Sequence, residues 1–545
     1  MEPLEREYDA IVIGGGPGGA AAAITLAESG HRVLVLEAAR FPREHVGESL
    51  VYLWPTFVRL GVEEAMDRTF VHKRGASHVW GRDHSLWSVH FRRPAGMRNY
   101  SLLVQRATFD QALLARARAV GATVREGHRV VALLWDGPRL RGVRYRSATG
   151  ATGTVHAPYV VDASGRARLV ARHLRLVEPE PFYPDLALYG YYAGAGRLPG
   201  EDAGNVLIEA TREGWVWHIP LHTGEVSIGV MVSAEGRERL RALGWRRYFE
   251  AVVGETEQVG RLVRGAALRR GPVVGASGSY RARRYAGAGW LLVGDAGVFI
   301  DPMWSSGVAI ALDTGIKAGL CVDGVLSGRV SARAAMTYYN RSVRSRICGL
   351  DWLIKHAYRA NRLYPDAPFW QRCRRWPGAG RPPAGLLAQL AGANSLGYYR
   401  ETLWLMGATN TAGRPLLEGI ESYPDRRDGF DWQAFLHNSL RLAPGITLSR
   451  GAVLQGERLV SGLALRLPAD AGEIPLPEDI GLDWPRTFAR LAAGARVEEV
   501  VERPDSTDYE AVLRYCRQTE ALGHLYLEGC LTPLAAHGPR LVAAG

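Results

Sequence analysis

Lysine is nearly missing from this 545-residue chain. Lys73, Lys317 and Lys355 are the only three, and 64 of the 67 basic side chains are arginine. Alongside abundant alanine and glycine, that bias reads as the compositional drift of a GC-rich genome. The formal net charge of +12 raises the question of a polyanionic partner. The arginines are scattered, however, with no basic helix or tail, which argues against nucleic acid and leaves room for docking an acidic protein. Cysteine is scarce as well. Cys321, Cys348, Cys373, Cys516 and Cys530 form no C-x-x-C pair, so no disulfide framework, zinc site or other metal is expected. No apolar run is long enough to span a bilayer, and MEPLEREYDA lacks the basic and apolar regions of a signal peptide. A cytoplasmic protein with no membrane partner is therefore expected. There is no internal repeat and no low-complexity segment, and the length allows about two to four domains.

What is there begins with YDAIVIGGGPGGAAAAITLAESGHRVLVLEAAR, which reads as strand, tight turn, helix and strand. Gly14, Gly16 and Gly19 supply G-x-G-x-x-G. The first glycine makes the turn, the second lets backbone approach a pyrophosphate, and the third lets the helix pack on the sheet. The helix N-terminus offers free N–H groups and a positive dipole end to phosphate. Glu37 ends the next strand, where an acid takes the adenosine ribose hydroxyls. Strand, helix, strand and acid together specify a dinucleotide site, which a bare glycine turn does not.

Three later segments bear on which dinucleotide. VQRATFDQALLARARAVGATV (104–124) is an amphipathic helix preceded by Arg106. APYVVDASGR (157–166) is a strand ending in Asp162 and a glycine turn. GWLLVGDAGVFIDPMWSSGVAIALDTG (289–315) is an apolar strand, Gly294-Asp295 and a helix start. Asp295, at the carboxyl end of a strand, can bind a ribityl hydroxyl. In order and spacing the set resembles the FAD-dependent monooxygenases and their relatives, which implies FAD. No second G-x-G-x-x-G follows, since GAGRLPG (194–200) has the wrong final spacing. Reduced FAD is thus expected from a separate flavin reductase.

Within that class, Gly214-Trp215-Val216-Trp217-His218-Ile219-Pro220 matches the G-W-x-W-x-I-P signature of the flavin-dependent halogenases. FPREHVGESL (41–50) resembles that family's flavin-strap segment, which contains Arg43, Glu48 and Ser49. FVHKRGASHVWG (70–81) resembles its K-x-G-x-x-x-x-W-G motif, and DPMWSSGV (301–308) resembles D-P-x-F-S-S-G-V beside flavin and halide. The match is good over residues 8–330, with weaker echoes in TYYNRS and FWQRCRRW. The resemblance implies that reduced flavin and O2 oxidise a bound chloride or bromide to hypohalous acid. A lysine, here Lys73, then hydrogen-bonds the acid or becomes a haloamine, and electrophilic aromatic substitution follows.

Further roles come with the resemblance. Trp215, Trp217, Ile219 and Pro220 form a partition keeping organic substrate from the flavin oxidant. Ser305, Ser306 and Gly307 bind halide, and Gly14, Gly16, Gly19, Glu37, Arg43, Ser49, Arg106, Asp295 and Pro302 bind FAD. Each has a plainer counterpart. Lysines are ordinarily solvated surface charges, paired tryptophans are ordinarily strand core, and Ser305-Ser306-Gly307 also reads as a helix N-cap. For Lys73, chemistry supports the catalytic reading: a buried lysine can lose its proton and act as a nucleophile, whereas arginine cannot. His218 reads as structural, and His78 as core or pocket lining. Glu48 either assists proton removal from a phenol or holds the strap.

Departures narrow the substrate. Tryptophan halogenases carry glutamate immediately before the serine of the halide segment, and this chain has Trp304. That moves the expectation from free tryptophan to a phenol or pyrrole in natural-product biosynthesis, either free or on an acyl or peptidyl carrier protein. An FAD monooxygenase or reductase on the same fold, and a non-catalytic flavin-binding scaffold, are the competing functions. The expected fold class is α/β. A Rossmann-like FAD-binding domain (1–170 and 280–330) carries an inserted antiparallel-sheet substrate domain (171–279). A mixed, largely helical C-terminal region (331–545) acts as lid or pocket wall. Within these, helix is expected over 234–264, a long helix over 332–364 and a Pro/Gly-rich loop at 376–385.

Overall fold

The computed structural model describes residues 7–376 except 82–83, 92–97, 185 and 276–277. Beyond these it describes 435–437, 439–455, 458–466, 473–476, 482–501 and a few later positions. Past Trp376, the expected loop at 376–385 lies outside the described residues, as do Cys516 and Cys530.

Short, continuously apolar runs are what a strand covered on both faces requires, and AIVI and VLVLE are such runs. Ala10–Ile13 and Val33–Glu37 are fully buried neighbours in a six-stranded sheet. Tyr159–Asp162, Trp290–Leu292 and Thr123–Glu126 join them in parallel, and Ala286–Gly287 closes one edge antiparallel. The helix Pro17–Glu28 follows the glycine turn, with proline in its first turn, where a missing N–H costs nothing. Gly14 adopts φ +101°, and a Cβ on Gly19 would lie 1.9 Å from the Gly14 carbonyl oxygen. Turn and helix can approach this closely only because position 19 has no side chain.

A seven-stranded sheet forms the second layer of this unit. Its order is Ala267–Val274, Leu186–Ala193, Glu225–Val232, Gly214–Pro220, Val206–Thr211, Gly75–Val79 and Leu86–His90. The expected alternating strands are present, but the sheet is not confined to 171–279. Gly75–Val79 pairs in parallel with Val206–Thr211 and carries Leu86–His90 on its outer edge. A parallel partner needs a long connection, so local periodicity does not predict it.

The helical expectation for 234–264 resolves into Arg237–Leu243, Trp245–Glu255 and Gln258–Leu262. The first break falls at Gly244, at φ +73°. The long helix runs from Ala332 to Ala360.

The chain divides into two compact units. Among the described residues, one holds 7–327 and 350–376, and the other holds 328–349 and the described positions from 435 onward. The described core of the second unit gathers Trp484, Phe488, Leu491, Leu465 and Leu440. They are carried by the helix Trp484–Ala492 and the strands Arg458–Arg466 and Leu440–Leu442. Asp483 caps that helix, its carboxylate accepting from the Arg486 N–H at 3.1 Å, ahead of a proline in the first turn.

Gly19→Ala should lower stability by about 1–3 kcal/mol, because the new methyl must push turn and helix apart. Chemical denaturation with and without FAD checks this, and the loss should be larger in the FAD-loaded protein.

Candidate active site

A cavity of about 510 Å³ opens at the carboxyl ends of the parallel strands, within the volume range of ligand sites. At one end it is lined by Gly14, Gly16 and Glu37. Arg43, Glu48, Ser49, Arg106 and Asp295 line it as well. At the far end stand Trp215, Trp217 and Ile219, together with Pro302, Ser305 and Gly307. Residues from six separate stretches of chain therefore meet in one space. Gly19, Pro220, Ser306 and Lys73 are outside this lining.

Both carboxylate oxygens of Glu37 brace backbone, accepting from the Gly15 and Ala39 N–H groups at 2.7 Å each. Their remaining lone pairs stay open to hydroxyl donors. Arg106 donates two hydrogen bonds to Asp110, at 2.8 and 3.0 Å, and one to the Val46 carbonyl at 3.0 Å. Arg43 approaches the same aspartate at 3.3 Å. This buried pair clamps segment 41–50 against the cavity. Glu48 accepts from the Tyr191 hydroxyl at 2.7 Å, and burial pushes its carboxyl pKa up. Burial also raises Asp295, to about 6, while Arg166 and Arg106 pull the other way. Among the described residues no protein donor reaches the Asp295 carboxyl. A carboxyl group so placed, facing a cavity that begins at a glycine turn and helix N-terminus, fits a dinucleotide carrying further hydroxyls.

The far end of the cavity depends on strand register. Period two puts Trp215, Trp217 and Ile219 on one face, and the two indoles lie 6.0 Å apart at 54°. A cross-strand row continues through Gly229, Trp217, Ile208, His78 and Trp87. A Cβ on Gly229 would sit 2.0 Å from the Trp217 ring, so glycine there leaves the space in which the indole lies. His218 faces away and bonds to the Gly196 carbonyl at 2.9 Å, as its structural reading expected. His78 stacks on Trp87 at 4.4 Å and lies 5.7 Å from Trp304. Burial, helped by the Lys73 charge, lowers the His78 pKa to about 3, leaving it a neutral imidazole.

The halide-like segment 301–307 corrects one expectation. The helix Gly307–Leu326 follows Ser306, but no serine side chain caps it. The Ser306 hydroxyl is buried with no partner, and Ser305 adopts φ +54°, unusual for a residue with a side chain. Asp301 instead caps the preceding turn Pro302–Trp304, accepting from the Met303 N–H at 3.0 Å. The helix N–H groups at Ser306–Gly307 are therefore not consumed by side chains.

All three lysines are buried, contrary to the ordinary solvated-surface expectation. Lys317 pairs with Asp313 at 2.9 Å, and Lys355 with Glu180 at 3.0 Å and Asp351 at 2.9 Å. Among the described residues, Lys73 meets no carboxylate. It ends the strand Val71–Lys73 and donates to the Ser49 hydroxyl at 3.0 Å and the Leu50 carbonyl at 2.8 Å. Burial alone brings its pKa down to about 7. Through Ser49 it adjoins the margin of the cavity.

Residues 7–345 match the family model described as FAD binding domain. The chain is 33% identical over 366 residues to a tryptophan 2-halogenase of Chondromyces crocatus, covering 66% of this chain and 69% of that one. The chain belongs to the flavin-dependent halogenases. The solved structure of the myxobacterial chondrochloren halogenase is 31% identical, with a TM-score of 0.65, covering 74% of the halogenase described here and 97% of the other. A 1H-pyrrole-2-carbonyl-[peptidyl-carrier protein] chlorinase of Pseudomonas fluorescens is 29% identical over 387 residues, 66% of this halogenase and 85% of that protein. FAD and a halide are thus the cofactor and co-substrate, and the enzyme class displaces the scaffold alternative. Among the described residues, no His/Cys/Asp/Glu cluster could hold a metal, and no helix is long and apolar enough to cross a membrane.

Sequence reasoning did not find Tyr191, which bonds Glu48, or Tyr358, which bonds Trp215 at 2.7 Å. Tyr358 lies 143 residues from its partner, and no motif marks it.

Between pH 7 and the ordinary lysine value of 10.5, folded Lys73 is neutral while unfolded Lys73 keeps its proton. Stability should therefore rise with pH across that window. Lys73→Met is expected to stabilise the fold by about 1–3 kcal/mol near pH 6. That advantage should shrink as pH climbs through the same window, as thermal denaturation at several pH values would report.

Proposed function

We propose that this halogenase chlorinates or brominates an electron-rich phenol or pyrrole, and that Lys73 delivers the halogen. The observation carrying this is a buried amine with no carboxylate partner and a pKa of about 7. Near neutral pH such an amine is partly unprotonated, so its lone pair is available. It can attack hypohalous acid, forming N–X and releasing water. The arene then takes the halogen, loses its ring proton and regenerates the amine. The protonated fraction can instead hydrogen-bond hypohalous acid and make its halogen more electrophilic.

Bound and reduced, FAD supplies the oxygen-derived oxidant that converts halide to hypohalous acid. Gly14, Gly16 and the helix N-terminus would receive its pyrophosphate, Glu37 its ribose and Asp295 its ribityl chain. Gly19 keeps the turn tight, while Arg43, Arg106, Ser49 and Pro302 shape the strap side and the far end. Halide would sit at Ser305, Ser306 and Gly307, where helix N–H groups point outward. Trp215, Trp217 and Ile219, with Pro220 ending the strand, would bar an organic substrate while a small acid passes.

For the substrate, Trp304 in place of the glutamate of tryptophan halogenases favours phenol or pyrrole. The pyrrolyl carrier-protein chlorinase among the relatives supports an aromatic acyl group carried as a thioester. The relative named tryptophan 2-halogenase favours an indole as the second reading. Reduced flavin would come from a separate reductase, since the chain has one glycine fingerprint.

Mass spectrometry of products from a panel of phenols, carrier-bound pyrrole and tryptophan, with a reductase, FAD, halide and O2, tests the substrate. Phenol or pyrrole products are expected, and halogenated tryptophan alone would reverse the assignment. Lys73→Ala and Lys73→Arg should each lose at least about 100-fold in halogenation rate, the scale of a proton-transfer or nucleophilic group, while still oxidising reduced flavin. Wild-type rate should rise with pH around 7. Full activity in Lys73→Arg would exclude the lone-pair role, because guanidinium stays protonated.

A further inference from the structure

We infer that Tyr358 is a positioning residue that locks the indole partition to the halide segment. Its hydroxyl stands between them. The Trp215 indole N–H donates to it at 2.7 Å, and it donates to Asp301 at 2.8 Å. The other Asp301 oxygen accepts from the Met303 N–H at 3.0 Å, capping the turn Pro302–Trp304 that leads into Ser305. Each buried polar group in this chain of bonds is satisfied by the next one, which makes the arrangement all-or-none. Tyr358, Trp215 and Asp301 are 0%, 2% and 0% exposed.

The chain of bonds joins two structures that share the cavity but not a strand. Trp215 belongs to the seven-stranded sheet, whereas segment 301–307 connects the parallel sheet to its following helix. Tyr358 reaches both from the last turns of the helix Ala332–Ala360, in the part of that helix belonging to the first unit. Its ring is held by Phe369 at 5.9 Å, Trp370 at 5.8 Å and Phe182 at 5.9 Å, so the hydroxyl has little freedom to choose other partners. Packing alone needs a ring here. The hydroxyl is what the two polar neighbours require.

The inference rests on the proposed roles of Trp215 as partition and of Ser305–Gly307 as halide site. Without the hydroxyl, an indole N–H and a carboxylate oxygen are left buried and unpaired, and both segments must shift to find partners. Tyr358→Phe in the FAD-loaded enzyme should weaken bromide binding about tenfold by isothermal titration. It should also lower the halogenated product formed per O2 consumed by a similar factor, with FAD affinity unchanged. Unchanged bromide affinity and unchanged product yield, whatever happens to the melting temperature, would reduce Tyr358 to a packing residue.

Trp215→Phe has no indole N–H, so adding Tyr358→Phe to it should lower the product yield less than in the wild type. An equal further loss would break the link to Trp215. Should Tyr358→Phe not fold, Asp301→Asn serves, since an amide has one acceptor oxygen for two donors. Weaker bromide binding supports the link, and unchanged binding overturns it. Bromide binding needs no organic substrate, so a wrong substrate assignment leaves this test readable.

Discussion

Everything distinctive about this site depends on keeping one amine dry and without an anion. Removing a lysine from water costs several times more than any single hydrogen bond returns, and proteins normally offset that cost with a carboxylate. Here Lys317 and Lys355 are treated that way, and Lys73 is given only a serine hydroxyl and a backbone carbonyl. Neither partner favours the charged form as a carboxylate would. The pKa therefore falls to the working range, and the group is held between ammonium and amine. Its surroundings are a strand end and the buried, neutral imidazole of His78.

The same molecule handles its other buried charges by the opposite rule. Arg106 is matched by Asp110 through two parallel hydrogen bonds, and Arg43 adds a second cation to that aspartate. Those pairs are structural anchors for the segment beside the cavity, and their geometry suits guanidinium.

The indole face and segment 301–307 show how two separately built layers are joined. Strand pleating aligns Trp215, Trp217 and Ile219, and the missing side chain at Gly229 lets the second indole lie flat. One connection from this face to the parallel-sheet layer is made from outside both. That connection passes through a tyrosine on a helix much later in the chain, which satisfies one polar group from each side.

The glycine turn, the buried parallel strands, the indole face and the order of the halogenase motifs were legible in the sequence. Each depends on spacing along a few residues, which backbone geometry converts directly into direction. The tertiary structure alone decided the rest. Gly75–Val79 joins a sheet whose other core strands lie more than a hundred residues away, and Asp301, not a serine, caps the turn Pro302–Trp304. Among the described residues, Lys73 has no counter-ion although its two fellow lysines do. A missing partner and a partner 143 residues distant are both properties of how layers pack, and periodicity along the chain carries no information about either.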